Sequence, residues 1–147
     1  MSTSKRERDI DVLARTIWGE ARGEGLAGQI AVGWCIRNRV EIDLHNDGKP
    51  DWWGEGYEGV CRAPWQFSCW NRNDPNSAYL RGDKQIPAAQ FIQCREAALA
   101  VIDGHRADPT GRATHYYSTT MKVPPVWAKG ATRTCKIGRH VFFKDVP

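Results

Sequence analysis

Ile17-Trp18-Gly19-Glu20-Ala21-Arg22-Gly23-Glu24-Gly25 lies between two stretches with different apolar patterns, and its reading decides how the chain folds. Upstream, Ile10, Leu13, Ala14, Ile17, Trp18 and Ala21 recur at three- and four-residue steps, which is one face of an amphipathic helix. Ser4 followed by Glu7 has the form of a capping box and starts that helix near Lys5. Downstream, from Leu26 to Val40, apolar residues fill the rows Leu26-Ile30-Trp34, Ala27-Ala31-Cys35 and Val32-Ile36-Val40, as in a buried central helix. Arg37, Asn38 and Arg39 are expected where that helix emerges at the surface. Between the two, Gly23 and Gly25 stop the first helix and leave Glu20 and Glu24, four residues apart, at its end beside Trp18. A carboxyl against an indole at a helix end can hold its proton near neutrality, as a general acid must. On spacing alone the commoner reading is that both glutamates are solvated helix-end residues beside Arg22.

Further along, residues 45–59 carry turn chemistry such as Asn46-Asp47-Gly48-Lys49-Pro50 and are expected to form a loop. Gly59 to Trp70 is apolar and aromatic with neither helix nor strand period, so an irregular segment packed over the core or lining a cleft is expected. Polar residues 71–83 read as a second loop. Pro87 suits the opening turn of a third helix, with Phe91, Cys94, Ala98, Val101 and Ile102 buried and Gly104 at its end. Strand patterns follow at 113–117 and 132–137, and Gly138-Arg139 forms a two-residue turn into His140-Val141-Phe142-Phe143. Helices first and a small sheet last predict one α+β domain over residues 1–147.

Composition narrows the chemistry. A chain of 147 residues holds one core and is short for two. Its net charge of +4 favours an anionic polymer or surface, yet it has no basic run of the kind that marks a nucleic-acid tail. No apolar run approaches the ~20 residues of a membrane span, and the charged first eight residues lead into no apolar signal core. Seven tryptophans suit stacking on sugar rings or bases, or simply a core. Five cysteines without a Cys-x-x-Cys pair argue against a zinc knuckle. Cys35 and Cys94 read as buried, while Cys61 and Cys69 flank one loop and could pair. His45, His105, His115 and His140 show no ligand spacing, so no metal and no other cofactor are expected. Nothing directs a histidine to Cys61 or Cys69 for thiol catalysis, and neither a phosphate loop nor a Gly-x-Ser-x-Gly elbow occurs. What remains is an acidic pair at a helix end, a Gln-Phe-Ser loop and a His-Tyr-Tyr strand, the parts of a glycan cleft.

Several separated motifs together resemble the cell wall hydrolase family, that of the germination-specific spore cortex-lytic enzymes. They are Trp18-Gly19-Glu20-Ala21-Arg22-Gly23-Glu24, Gly28-Gln29-Ile30-Ala31-Val32 and Asn38-Arg39-Val40 at the start, and Trp65-Gln66-Phe67-Ser68-Cys69 in the middle. Gly111-Arg112-Ala113-Thr114-His115-Tyr116-Tyr117, Pro125-Val126-Trp127-Ala128-Lys129-Gly130 and Ile137-Gly138-Arg139-His140-Val141-Phe142 close the series. The resemblance implies a lysozyme-like α+β fold, mainly helical with a small antiparallel sheet near the C-terminus. It also implies cleavage of peptidoglycan between N-acetylmuramic acid and N-acetylglucosamine.

On that resemblance Glu20 matches the general acid, and Glu24 is a second carboxylate that orients it or binds sugar. Gln66, Phe67, Ser68, His115, Tyr116, Tyr117 and Trp127 fall at expected substrate-binding positions. A lytic transglycosylase, favoured by the analogy, needs a single acid/base glutamate. A hydrolysing muramidase usually adds a second carboxylate, for which Glu24, Asp47 and Asp51 are candidates. With no secretory signal, the expectation is a phage endolysin: a monomer held in the host cytoplasm until a holin-type partner releases it to the wall, binding neither nucleic acid nor membrane stably. A non-catalytic peptidoglycan-binding module is the competing class, and a nucleic-acid binder a weaker one.

Overall fold

The computed structural model describes residues 3–42, 54–63 and 67–147. The first helix, α1 (Lys5–Ala21), starts where the capping signal puts it, with the Ser4 hydroxyl accepting the Glu7 N–H at 3.1 Å. The Glu7 carboxylate turns to Arg95 instead of closing the box. Ile10, Leu13 and Ile17 are fully buried, each contributing about 1.5–3 kcal/mol by leaving water. Helix α2 (Leu26–Glu41) is the buried central helix its three apolar rows predict.

Asn38 and Arg39 differ from expectation, since both are buried. Burial is tolerated because their polar atoms are satisfied. Asn38 Nδ2 donates to Asp108 Oδ2 at 3.0 Å and to the Ala113 carbonyl at 2.9 Å, and Arg39 Nε donates to the Thr114 carbonyl. On the side of Asn38 and Arg39, the end of α2 is therefore the post on which the segment leading into the sheet is hung.

Two segments read as loops contain helices. Gly56–Arg62 forms α3 despite its two glycines, because Val60 and Cys61 are buried against the other helices. Ser77–Leu80 forms the single turn α4, burying Leu80. The aromatic segment tightens into a 3-10 turn at Ser68–Trp70, where Trp70 Nε1 donates to the buried Thr16 hydroxyl at 2.9 Å. Helix α5 (Ala88–Ile102) follows Pro87 and packs on both α1 and α2. All five cysteines are free thiols, and Cys61 and Cys69 are both buried and unpaired.

Strands β1 (His115–Ser118), β2 (Thr132–Ile137) and β3 (His140–Lys144) form one antiparallel sheet in the order β1-β3-β2. Register places Tyr116 opposite Phe142, and His115 and Tyr117 opposite Phe143 and Val141. One sheet face thus carries Tyr116, His140 and Phe142, and the other carries His115, Tyr117, Val141 and Phe143. Phe142 joins the helical core.

Candidate active site

Glu20 lies in the last turn of α1, where the negative end of the helix already disfavours a charged carboxylate. The chain then breaks at Arg22, and Gly19 leaves room for a neighbour. A Cβ at Gly19 would fall 2.7 Å from the Cys69 sulfur, so only glycine lets the 3-10 turn close on this helix end. Tyr116 approaches from β1, and its hydroxyl donates to Glu20 Oε1 at 2.6 Å. Burial pushes the Glu20 carboxyl above its ordinary value. The Tyr116 hydroxyl, the Cys69 thiol and the charge of Arg39 pull it down without cancelling that rise, and the charge of Asp74 adds to it. Burial also raises Tyr116 well above a usual phenol, so it remains a donor. The result is a buried carboxyl on a fixed donor that gives up its proton at a higher pH than an exposed glutamate does.

The indole at Trp18 is not what surrounds it. Two residues along a helix point to different faces. The Trp18 ring packs 5.0 Å from Tyr79, lies under the Arg22 guanidinium and donates through Nε1 to Gln90 at 2.8 Å. Burial of the carboxyl itself raises Glu20, while the groups that hydrogen-bond it, Tyr116 and Cys69, pull the other way.

Glu24 takes a separate path, because the helix has ended before it. Its Oε1 accepts the Arg139 N–H at 3.1 Å and stands 3.7 Å from His140 Nδ1. At Gly138 φ is +57°, and a Cβ there would meet Glu24 Oε2 at 2.3 Å. Glu24 thus pins the β2–β3 turn to the end of α1. His140 is buried, its pKa is lowered by that burial against the opposing pull of Glu24, and its ring stands edge-on to Tyr116 at 4.9 Å. Glu24, His140, Tyr116 and Glu20 form a continuous chain of contacts in which only Glu20 carries the strong hydrogen bond.

The remaining expected site residues separate. Phe67 is buried with the Arg39 guanidinium 4.9 Å over its ring, whereas Ser68 is exposed. Gln66, together with Asp47, Asp51 and His45, lies outside the described residues. His115, Tyr117 and Trp127 gather on the face of the sheet opposite Tyr116, with Trp127 at 5.0 Å from His115 and 6.2 Å from Tyr117. Burial, with a contribution from Arg39, lowers His115 to about 4, so it is neutral at pH 7. Among the described residues no group of three or more His, Cys, Asp or Glu side chains comes together to hold a metal.

Arg39, Cys69 and Asp74 act on Glu20, a role that the sequence reading does not give them. Arg39 had a readable signal, since it follows Cys35 by four residues in an apolar row and so continues the buried face. Cys69 closes the middle motif of the resemblance, whereas Asp74 comes from a polar turn with no signal of its own.

The sequence profile described as Cell Wall Hydrolase matches residues 23–143, starting three residues after Glu20. Spore cortex-lytic enzymes of Oceanobacillus iheyensis and Bacillus subtilis are each 31% identical, over 94% and 91% of this chain and 42% and 37% of their own lengths. This chain therefore spans about two-fifths of those relatives. The solved catalytic domain of the germination-specific lytic transglycosylase SleB from Bacillus anthracis is 28% identical with a TM-score of 0.69, covering 98% of this chain and 100% of that one. The catalytic domain of the Bacillus cereus SleB protein gives 28% and 0.67, covering 98% and 95%. The architecture is the lysozyme-like α+β fold expected from the sequence, mainly helical with a small antiparallel sheet.

Proposed function

Because the chain belongs to the cell wall hydrolase family, we propose that it cleaves peptidoglycan glycan strands between N-acetylmuramic acid and N-acetylglucosamine, with Glu20 as the general acid. One observation carries the role of Glu20: a buried carboxyl at a helix end, held by the Tyr116 hydroxyl at 2.6 Å with its pKa raised. Such a group keeps its proton to higher pH than an exposed glutamate and, in its protonated form, gives that proton to the leaving oxygen as the C1–O bond breaks. The resulting carboxylate then takes the proton of the muramic 6-hydroxyl as that oxygen closes on C1. One glutamate serves both steps, and the product is an anhydro end. The engagement of Glu24 with the β2–β3 turn supports this single-acid route, because it leaves that carboxylate committed elsewhere.

A hydrolysing muramidase is the second reading, and Asp74 favours it as the carboxylate whose charge bears on Glu20. Mass spectrometry of soluble products from purified peptidoglycan separates the two, since anhydro ends are one water lighter than reducing ends. Reducing ends, abolished by Asp74→Asn, would replace the transglycosylase. Intact glycan would leave a non-catalytic wall-binding module.

Deployment as an endolysin, kept in the cytoplasm until a holin-type partner opens the membrane, is part of the same proposal. The net charge of +4 supports it by suiting approach to an anionic wall. Expression in a bacterial host with and without a pore-forming partner tests it. Lysis that does not depend on the pore would overturn it.

A further inference from the structure

The outer face of the sheet holds a cavity of about 620 Å³ that the proposed reaction does not use. Tyr117, Phe143, Pro124, Pro125 and Val126 wall it, and Lys129 is the charged side chain among its described lining residues. The volume falls within the roughly 300–1,000 Å³ of small-ligand sites. Its floor is fixed by aromatic packing: Tyr117 stacks on Phe143 at 5.5 Å and 21°, and Trp127 stands edge-on to Phe143 at 5.3 Å. Its rim leaves apolar surface in water, with Val126 93% exposed.

Charge adds a second, independent signal. Residues 109–144 contain seven of the 21 basic residues and none of the 17 acidic ones. Among the described residues none of those seven side chains forms an ion pair, and Arg133 and Lys136 register beside Phe143 and Val141 on the cavity face. Apolar walls inside a field of unpaired cations suit a ligand that is anionic and partly apolar at once.

We propose that this cavity binds a short carboxylate-bearing peptide, the class of the stem peptide carried by the muramic acid of peptidoglycan. Lys129 meets a carboxylate, and small alkyl side chains rest against Pro125 and Val126. The identity of the occupant rests on the peptidoglycan reading above, whereas the cavity and the charge do not. A phosphate polymer would need the cations but not the apolar walls. Strand β1 then works on both faces, with Tyr116 on the acid and Tyr117 on the stem of the strand being cut.

The test titrates the free tetrapeptide stem into the full chain and follows backbone amide shifts by NMR. Saturable shifts at Tyr117, residues 124–129 and Phe143 are expected. Lys129→Glu weakens binding by about tenfold, the worth of one charge-assisted contact. Val126→Asp, at an exposed position that does not threaten the fold, weakens it in the same direction. Absence of saturable shifts, shifts confined to the Glu20 side, or equal binding by Lys129→Glu overturns the proposal. So does engagement of the same residues by poly(glycerol phosphate) or by phosphatidylglycerol vesicles when the peptide gives none. Because the readout is binding, the two readings fail separately. A chain that binds the stem but releases no glycan fragments sinks the glycosidase alone, and one that cuts glycan without binding the stem sinks this site alone.

Discussion

In the helical body cations stand next to acids: Lys5 with Asp9 at 2.8 Å, Arg15 with Asp11 at 2.9 Å and Arg37 with Glu41 at 2.8 Å, each one helical turn apart. From Pro109 to Lys144 seven basic residues have no acid in their own stretch, and their side chains form no ion pair among the described residues. The body neutralises its own surface and puts its energy into a core of buried aliphatic side chains. The sheet instead offers its charge outward and is held by a few specific contacts to α1 and α2. Glu20 sits where the two meet, contributed by the body and gripped by Tyr116 of the sheet.

The largest effect should come at that junction. Glu20→Gln is expected to reduce glycan cleavage by about 10²–10⁴-fold, the usual worth of a general acid, measured by release of fragments from purified walls. It should also melt higher than the parent at pH 7. Burial raises the folded-state pKa of Glu20, so its favourable contribution is complete only below the ordinary carboxylate value and is lost as pH rises. The gap between variant and parent should therefore close on acidification. A variant with full activity would remove Glu20 from the mechanism.

Next comes the attachment of the sheet. Gly138→Ala places a methyl 2.3 Å from Glu24 Oε2 at a φ of +57°, and about 1–3 kcal/mol of destabilisation is expected from denaturant unfolding. An unchanged midpoint would mean that Glu24 does not hold the turn. Tyr116→Phe keeps the ring and removes the donor, so the pKa of Glu20 rises further and the alkaline limb of the pH–rate profile moves up. The rate itself should fall by about tenfold, as for loss of one hydrogen bond to a charged group.

A smaller effect separates the two regions by pH. Folding holds His115 at about 4 against an ordinary value near 6.5. Its contribution is present above the unfolded value and is lost as pH falls from about 6.5 to 4. His115→Gln should flatten the melting curve of the protein across that window, and an identical slope would overturn the assignment. Smallest of all, Lys5→Ala breaks an exposed pair of the body and should change stability by only about 0.3–0.5 kcal/mol.

The same division explains what could be read in the sequence. Helices α1, α2 and α5 announce themselves by periodicity, because each has an apolar face dictated by one core. The hairpin announces itself through Gly138-Arg139. Helices α3 and α4 do not, since their glycines and polar residues are overridden by tertiary burial of Val60, Cys61 and Leu80. Within the site, Glu20 was legible from its place at a helix end, and Tyr116 from the closing motifs. The indole of Trp18 is not the partner of Glu20, because adjacency in sequence is not adjacency on the helix surface. Arg39 was misplaced for a related reason: a guanidinium reads as exposed until the carbonyl that satisfies it, at Thr114, is known. Tyr116 and Tyr117 were grouped as neighbours, but in a strand neighbours face opposite ways.

The strand order has a consequence for how the molecule comes into being. β3 is the last of the three along the chain and the middle one in space, so β1 has no pairing partner within the sheet until residues 140–144 have emerged from the ribosome. Glu20 must wait for more than a hundred further residues before Tyr116 is fixed against it. Non-local closure of that kind folds late. A chain interrupted before residue 140 would carry Glu20 without the strand that fixes Tyr116 against it, so the candidate site is assembled only once β3 has formed.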